Sequence, residues 1–156
     1  MRRRMRSRTP RICIVSSCGG HLTEVRCFLK AYSDVEHFYI LNDNVILPSD
    51  MVGRTQFIVH AERDWRVLTN FLEAYKILLK KKPTMILSTG AGPVVPFAIV
   101  GRYLFGCRIT FVETLTRVEK PSLTGRLMYW LSHDFFYQWE SLRKFFPKGT
   151  CGGPLI

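Results

Sequence analysis

Short apolar runs alternate with longer segments of helical periodicity along most of the chain. Six runs rich in Ile, Val and Phe, at 12–15, 37–41, 57–59, 85–87, 109–112 and 135–137, read as strands. The helix-length segments between them span 22–32, 65–80, 93–105 and 122–131. In the second, Leu68, Phe71, Leu72, Tyr75 and Leu79 recur at three- and four-residue steps, the apolar repeat of a helix. Lys76, Lys80, Lys81 and Lys82 gather toward its end, where cations suit the helix dipole, and Pro83 stops it. Near-continuous apolar strands joined by helical crossovers predict an α/β fold with a Rossmann-like, doubly wound parallel sheet. Turn residues crowd 41–56, including Asn42-Asp43-Asn44 and Pro48-Ser49-Asp50, so that stretch reads as a loop.

At 156 residues, with 47% hydrophobic and 22% charged positions, the chain suits one domain with a sizeable core. The expected division is a basic arm at 1–10 and a single domain at 11–156. The net charge of +11 owes much to that arm, because Arg2, Arg3, Arg4, Arg6, Arg8 and Arg11 fall within eleven residues. An arm of this kind fits anionic lipid or an acidic partner, or is a disordered start. Nucleic acid is not expected as a partner, since no interleaved aromatics, zinc spacing or helix-turn-helix pattern accompanies the charge. Five cysteines without a C-x-x-C pair point to reduced thiols. The apolar run after the arm is too short for a secretory signal, and 93–105 is too short to span a bilayer and contains Arg102. A cytoplasmic location is the expectation.

In an open parallel sheet, ligands collect beyond the carboxyl ends of the strands. Four loops fall there. Ser17-Cys18-Gly19-Gly20-His21 follows the first strand and opens a helix, where glycines permit close backbone approach and free N–H groups can hold phosphate. His21 at that helix start could bond a pyrophosphate or deprotonate a hydroxyl, or could simply cap the helix. Glu24 could orient His21 or, the favoured reading, satisfy first-turn donors and the helix dipole. Thr89-Gly90-Ala91-Gly92-Pro93 makes a second strand-to-helix loop, with Pro93 suited to the first helical position, or a tight structural turn. Glu113 and Arg117 lie in a third, and Trp139, after the last strand, offers a sugar platform, an interface anchor or a core edge. The segment 94–105 is apolar almost all round, which suits deep burial or an interfacial helix. No metal-ligand cluster is apparent and no cofactor is expected.

Ser-x-Gly-Gly-His-x-x-Glu at 17–24, Ser-Thr-Gly-x-Gly-Pro at 88–93, Glu-Thr-x-x-Arg at 113–117 with Ser-Leu-Thr-Gly-Arg at 122–126, and Gln-Trp-Glu at 138–140 occur in one order. In this the chain resembles bacterial exopolysaccharide and capsule glycosyltransferase subunits related to the membrane-anchor subunit of the eukaryotic dolichol-pyrophosphate N-acetylglucosaminyltransferase. The likeness covers roughly residues 11 to 156. It implies the N-terminal, acceptor lobe of a GT-B glycosyltransferase, with a separate donor-binding subunit holding the nucleotide sugar.

Carried onto this sequence, the resemblance turns Gly19, Gly20 and His21 toward a polyprenyl-pyrophosphate-linked saccharide, with Gly90 and Gly92 lining the same cleft, and matches Glu113 and Arg117 to family positions without fixing their roles. With the reading of the residues, Ser17, Thr89 and Arg117 join the expected binding set, His21 and Glu113 are the candidates for catalysis, and Trp139 is a partner or sugar contact. Cys18 stands where several relatives have glycine, and no N-terminal spanning helix precedes the domain, so attachment to an anionic inner membrane face would be peripheral. The implied reaction transfers a hexose or uronic acid from a nucleoside diphosphate sugar, with this chain inactive alone. The alternative is a non-catalytic scaffold that recruits a competent donor subunit to the membrane.

Overall fold

A computed structural model describes residues 9–42, 46–59, 67–90 and 92–155. The expectations for the arginines at 2–8 and for a helix start at 65 lie outside the described residues. Seven strands form one parallel sheet: β1 (Arg11–Ser16), β2 (Glu36–Leu41), β3 (Thr55–Phe57), β4 (Met85–Ser88), β5 (Arg108–Val112), β6 (Asp134–Tyr137) and β7 (Thr150–Cys151). Their spatial order is β3-β2-β1-β4-β5-β6-β7, which confirms the doubly wound Rossmann-like sheet. The helices are α1 (Gly20–Cys27), α2 (Val67–Lys81), α3 (Val94–Leu104) and α4 (Leu123–Leu131).

Two apolar layers result from the strict alternation of a pleated strand. Cys13 and Val15 of β1, with Phe38 and Ile40 of β2, face the layer built on α2, α3 and α4. Ile12 and Ile14, with Tyr39 and Leu41, face α1 and the short turn after it. The sheet is thus covered on both faces at β1, as a parallel sheet requires. Beyond β4 the α1 side thins out: an apolar groove of about 350 Å³ runs along Leu87, Val112 and Phe136, edged by Tyr32 and Leu155.

Several boundaries differ from the sequence reading. The helix expected at 22–32 is only eight residues long and is followed by a 3-10 turn at Leu29–Ala31. Strand β3 starts at Thr55, two residues inside the segment read as loop, because its edge pairs with Tyr39, Ile40 and Leu41 of β2. Two-residue β7 escaped the pattern because Thr150–Cys151 carries no apolar run. Its pairing with Phe136 and Tyr137 makes it a strand.

In α2 the visible apolar repeat is helical but is not the buried face. Ala74, Ile77 and Leu78 enter the core, whereas Leu68, Leu72, Tyr75 and Leu79 are exposed. The helix is apolar on two sides, and of the visible repeat only Phe71 packs against the core. Helix α3 is a core element. Val94, Pro96, Phe97, Ala98, Val100 and Gly101 are all buried, which answers the choice left open for that segment. No described helix is long and apolar enough to cross a membrane.

Strands β5 and β6 are tied at their amino ends by polar contacts that acid should loosen. Arg108 clamps Asp134 through Nε and one terminal nitrogen, both at 2.6 Å, and this holds the Asp134 carboxyl below the usual range. The ring Nδ1 of His133 accepts from the Ile109 amide at 3.0 Å, a bond that only an unprotonated Nδ1 can make. Burial, then Arg102 and Arg108, depress the His133 pKa. A depressed folded pKa means stability is complete above the unfolded imidazole value of about 6.5 and is lost as pH falls through the folded one. The thermal midpoint should therefore drop between pH 7 and pH 5. His133→Asn, whose amide accepts the same bond without titrating, should flatten that part of the curve in a pH series of melts.

Candidate functional site

The order β3-β2-β1-β4 reverses the direction of winding between β1 and β4, and the loops leaving those two strands open at one place. The first is Ser17 to Gly19 and the second is Thr89 to Gly92. Gly19 sits at φ +91° as the residue before α1, and no side chain caps the first-turn amides. Those donors are left for an anion.

Gly90, at φ +140°, lies against the ring of His21. A Cβ there would stand 2.5 Å from the imidazole Cε1 and 2.7 Å from Nδ1, so only glycine leaves room for the ring. The Thr89 hydroxyl donates to the His21 carbonyl at 2.8 Å, joining the two loops covalently distant by 68 residues. The Ser88 hydroxyl donates to the Gly90 carbonyl at 3.0 Å and accepts from the Gly90 amide at 3.1 Å. These bonds hold the imidazole in place, yet its Nδ1 is buried with no hydrogen-bond partner among the described residues.

The second loop supplies fewer donors than its sequence suggested. Pro93 occupies the position before α3 rather than its first turn, and Pro96 also lacks an N–H. The Val95 amide already donates to the Gly92 carbonyl at 3.2 Å, while Gly92 itself is exposed. The amides open to an anion are therefore those of α1.

Glu24 was read as a first-turn cap. Because α1 begins at Gly20, Glu24 stands in the second turn and turns away toward the loop after β5. Its Oε1 accepts from the Thr114 hydroxyl at 2.7 Å and the Leu115 amide at 3.2 Å, and its Oε2 is buried without a partner. The Leu115 carbonyl in turn accepts from the Trp139 indole N–H at 2.7 Å, and Gln138 donates to the Glu113 carbonyl at 3.0 Å. A chain of polar contacts thus links the ends of β1, β5 and β6. Thr114, Ser122 and Gln138 lie in the motifs read from the sequence but were given no role of their own there. Ser122 three residues before Gly125, at the start of an apolar helix, was the available signal, since a serine there is a good helix cap.

Glu113 is buried and occupied. Its Oε1 accepts from the Thr114 amide at 3.1 Å and the Ser122 hydroxyl at 2.8 Å, and its Oε2 accepts from the Ser122 amide at 3.2 Å. The Ser122 hydroxyl is held in turn by the Gly125 amide at 2.7 Å and so caps α4. Burial raises the Glu113 pKa, with the Ser122 hydroxyl, the Thr114 and Ser122 amides and Arg117 opposing it. The carboxylate organises the α4 start, with both oxygens engaged inside the protein. Arg117 is exposed, and its amide closes a turn onto the Thr114 carbonyl at 3.1 Å. Trp139 is partly buried, and its indole N–H braces the loop after β5.

This combination of a parallel sheet, a switch-point cleft and a helix start left open to an anion defines a Rossmann-like lobe equivalent to the N-terminal lobe of a GT-B glycosyltransferase. Solved structures agree on the fold. MurG of Acinetobacter baumannii matches with a TM-score of 0.69 at 12% identity, over 83% of this chain and 41% of that one. UDP-GlcNAc 2-epimerase of Methanocaldococcus jannaschii matches with a TM-score of 0.67 at 14% identity, over 88% of this chain and 42% of that one. This chain therefore spans about two fifths of each.

Residues 63–155 match the family model described as oligosaccharide biosynthesis protein Alg14 like, and the chain belongs to that family. A human relative, UDP-N-acetylglucosamine transferase subunit ALG14, is 25% identical over 95% of this chain and 86% of its own length. The protein of the same name from Candida albicans is 38% identical over 56% of this chain and 42% of its own length.

Gly90→Ala tests the coupling of the two loops. The methyl group must displace the His21 ring, and φ +140° disfavours any side chain, so a loss of about 1–3 kcal/mol in unfolding free energy is expected. Denaturant melts measure it, and the imidazole signals of His21 in NMR spectra should shift in the same variant.

Proposed function

We propose that this chain is the acceptor-binding, membrane-associating subunit of a two-component glycosyltransferase, with the nucleotide sugar carried by a separate donor subunit. The observation that carries the reading is the His21 imidazole, wedged on Gly90 at the switch point with Nδ1 unpaired, beside the open amides of α1. Those amides suit the pyrophosphate of a polyprenyl-linked saccharide, and the imidazole suits removal of a proton from the acceptor hydroxyl. This reading assigns Ser17, Gly19, Gly20, Thr89, Gly90, Gly92 and Arg117 to the acceptor as well.

Support for a split enzyme comes from the relatives, which are named as subunits of a UDP-N-acetylglucosamine transferase. Their name favours UDP-N-acetylglucosamine as donor. A hexose or uronic acid donor, in exopolysaccharide or capsule synthesis, is the version that the bacterial resemblance suggests. In either case the lipid-linked acceptor sits at the inner membrane face, approached by one domain at 11–156 with its basic arm at 1–10.

The occupied Glu113 carboxylate shifts the roles within this reading. Glu113 positions the α4 start, leaving His21 as the acid-base group of this subunit. The scaffold alternative draws on the same fact, because a lobe with a single acid-base side chain can also serve only to recruit and align a competent partner.

Co-expression with a donor-subunit candidate, followed by sugar transfer to a lipid-pyrophosphate acceptor with each subunit alone as control, tests the proposal. Activity is expected only in the mixture. His21→Ala should lower turnover by about 10²–10⁴-fold with the complex intact. Full turnover in that variant would leave the scaffold reading, and activity from this chain alone would overturn the split enzyme.

A further inference from the structure

The outer surface of the helix layer is as apolar as its inner one. Leu68, Leu72, Tyr75 and Leu79 repeat along α2 at steps of four, three and four, with exposures of 68, 63, 45 and 49%. Leu123, Leu127 and Trp130 repeat along α4 at steps of four and three, exposed by 58, 48 and 76%. Neither stripe is needed by the core, which α2 fills with Ala74, Ile77 and Leu78 and α4 with Gly125 and Met128. Two separate helices with the same surplus face are not a scatter of single exposed residues.

The stripes adjoin. The Tyr75 ring packs against Phe105 at the end of α3, with centroids 5.8 Å apart. Arg102 of α3 donates to the carbonyls of Trp130 and Leu131 at 3.3 and 2.6 Å, holding the end of α4 to α3 on the other side. Between them α3 presents exposed Tyr103. At 100° per residue, Lys76 and Lys80 stand one step round α2 from its stripe, and Arg126 one step round α4, stacked on Phe145 with its guanidinium 5.9 Å from the ring. The centre is apolar and the flanks are cationic.

Among the described residues of these three helices, acidic side chains are nearly missing. Helices α3 and α4 have none, and the single one in α2, Glu73, accepts from the Val59 amide on the β3 side. A surface with apolar side chains at its middle, cations around them and no anion among them complements an anionic lipid bilayer.

We propose that the joint outer face of α2, α3 and α4 is the surface by which this protein lies on a bilayer carrying anionic headgroups. The proposal rests on the peripheral attachment read above and assigns that attachment to the folded domain.

Sedimentation of the full chain with vesicles of phosphatidylcholine containing phosphatidylglycerol tests this face. The triple variant Leu72→Ser, Leu127→Ser and Trp130→Ser changes only exposed positions, and an unaltered thermal midpoint confirms that it folds. Its vesicle affinity should fall by about ten-fold or more, with donor-subunit binding retained. A second variant, Lys76→Glu with Lys80→Glu, should lose binding to phosphatidylglycerol vesicles, and added salt should erase its difference from the parent. If the unsubstituted protein binds no vesicles, peripheral attachment and this face both fail. If it binds and the triple variant binds equally well, the face alone is wrong and the arm or another surface carries attachment. Loss of donor-subunit binding with vesicle affinity intact would make this a protein interface and overturn the proposal.

Discussion

Parallel pairing of β1 with β4, two strands separated by some seventy residues, sets the remaining geometry. Ile12, Cys13 and Ile14 register against Met85, Ile86 and Leu87, so chain segments wound in opposite directions meet side by side. Right-handed crossovers then send α1 to one face and α2, α3 and α4 to the other. The two loops at the carboxyl ends of β1 and β4 have no helix crossing between them, and a cleft is left there. His21 and Gly90 meet because of this pairing.

The cleft is held by bonds that reach across the sheet edge. Glu24 spans from α1 to Thr114 and Leu115, and Trp139 closes the far side of the same loop. Glu113, engaged with Ser122, fixes where α4 begins. These polar groups are buried, and each satisfied partner makes the arrangement more rigid. Two buried polar atoms of α1, His21 Nδ1 and Glu24 Oε2, have no partner among the described residues. Unpaired buried polar atoms are costly in a folded protein.

The helix layer serves two surfaces at once. Its inner side closes on the sheet through Ala74, Ile77 and Leu78 of α2 and Phe97 and Gly101 of α3, with Gly101 buried against Ile86. A second apolar stripe, Leu68, Leu72, Tyr75 and Leu79, is turned outward.

Much of this was legible in the residues. The apolar runs marked the major strands, their near-continuous hydrophobicity marked a parallel sheet, and glycines beside His21 and Gly90 marked strand-to-helix loops. These are local properties, set by backbone sterics and by the periods of 2.0 and 3.6 residues. Which apolar face of α2 is buried, that Thr150–Cys151 is a strand, that Glu24 braces a distant loop and that Glu113 is already occupied all depend on neighbours from elsewhere in the chain. Those neighbours are brought close only by the strand order. Pairing across large sequence separations has no local signature, and for that reason the sequence determined the class of fold and the loops to inspect, while the tertiary structure decided what each side chain in them is free to do.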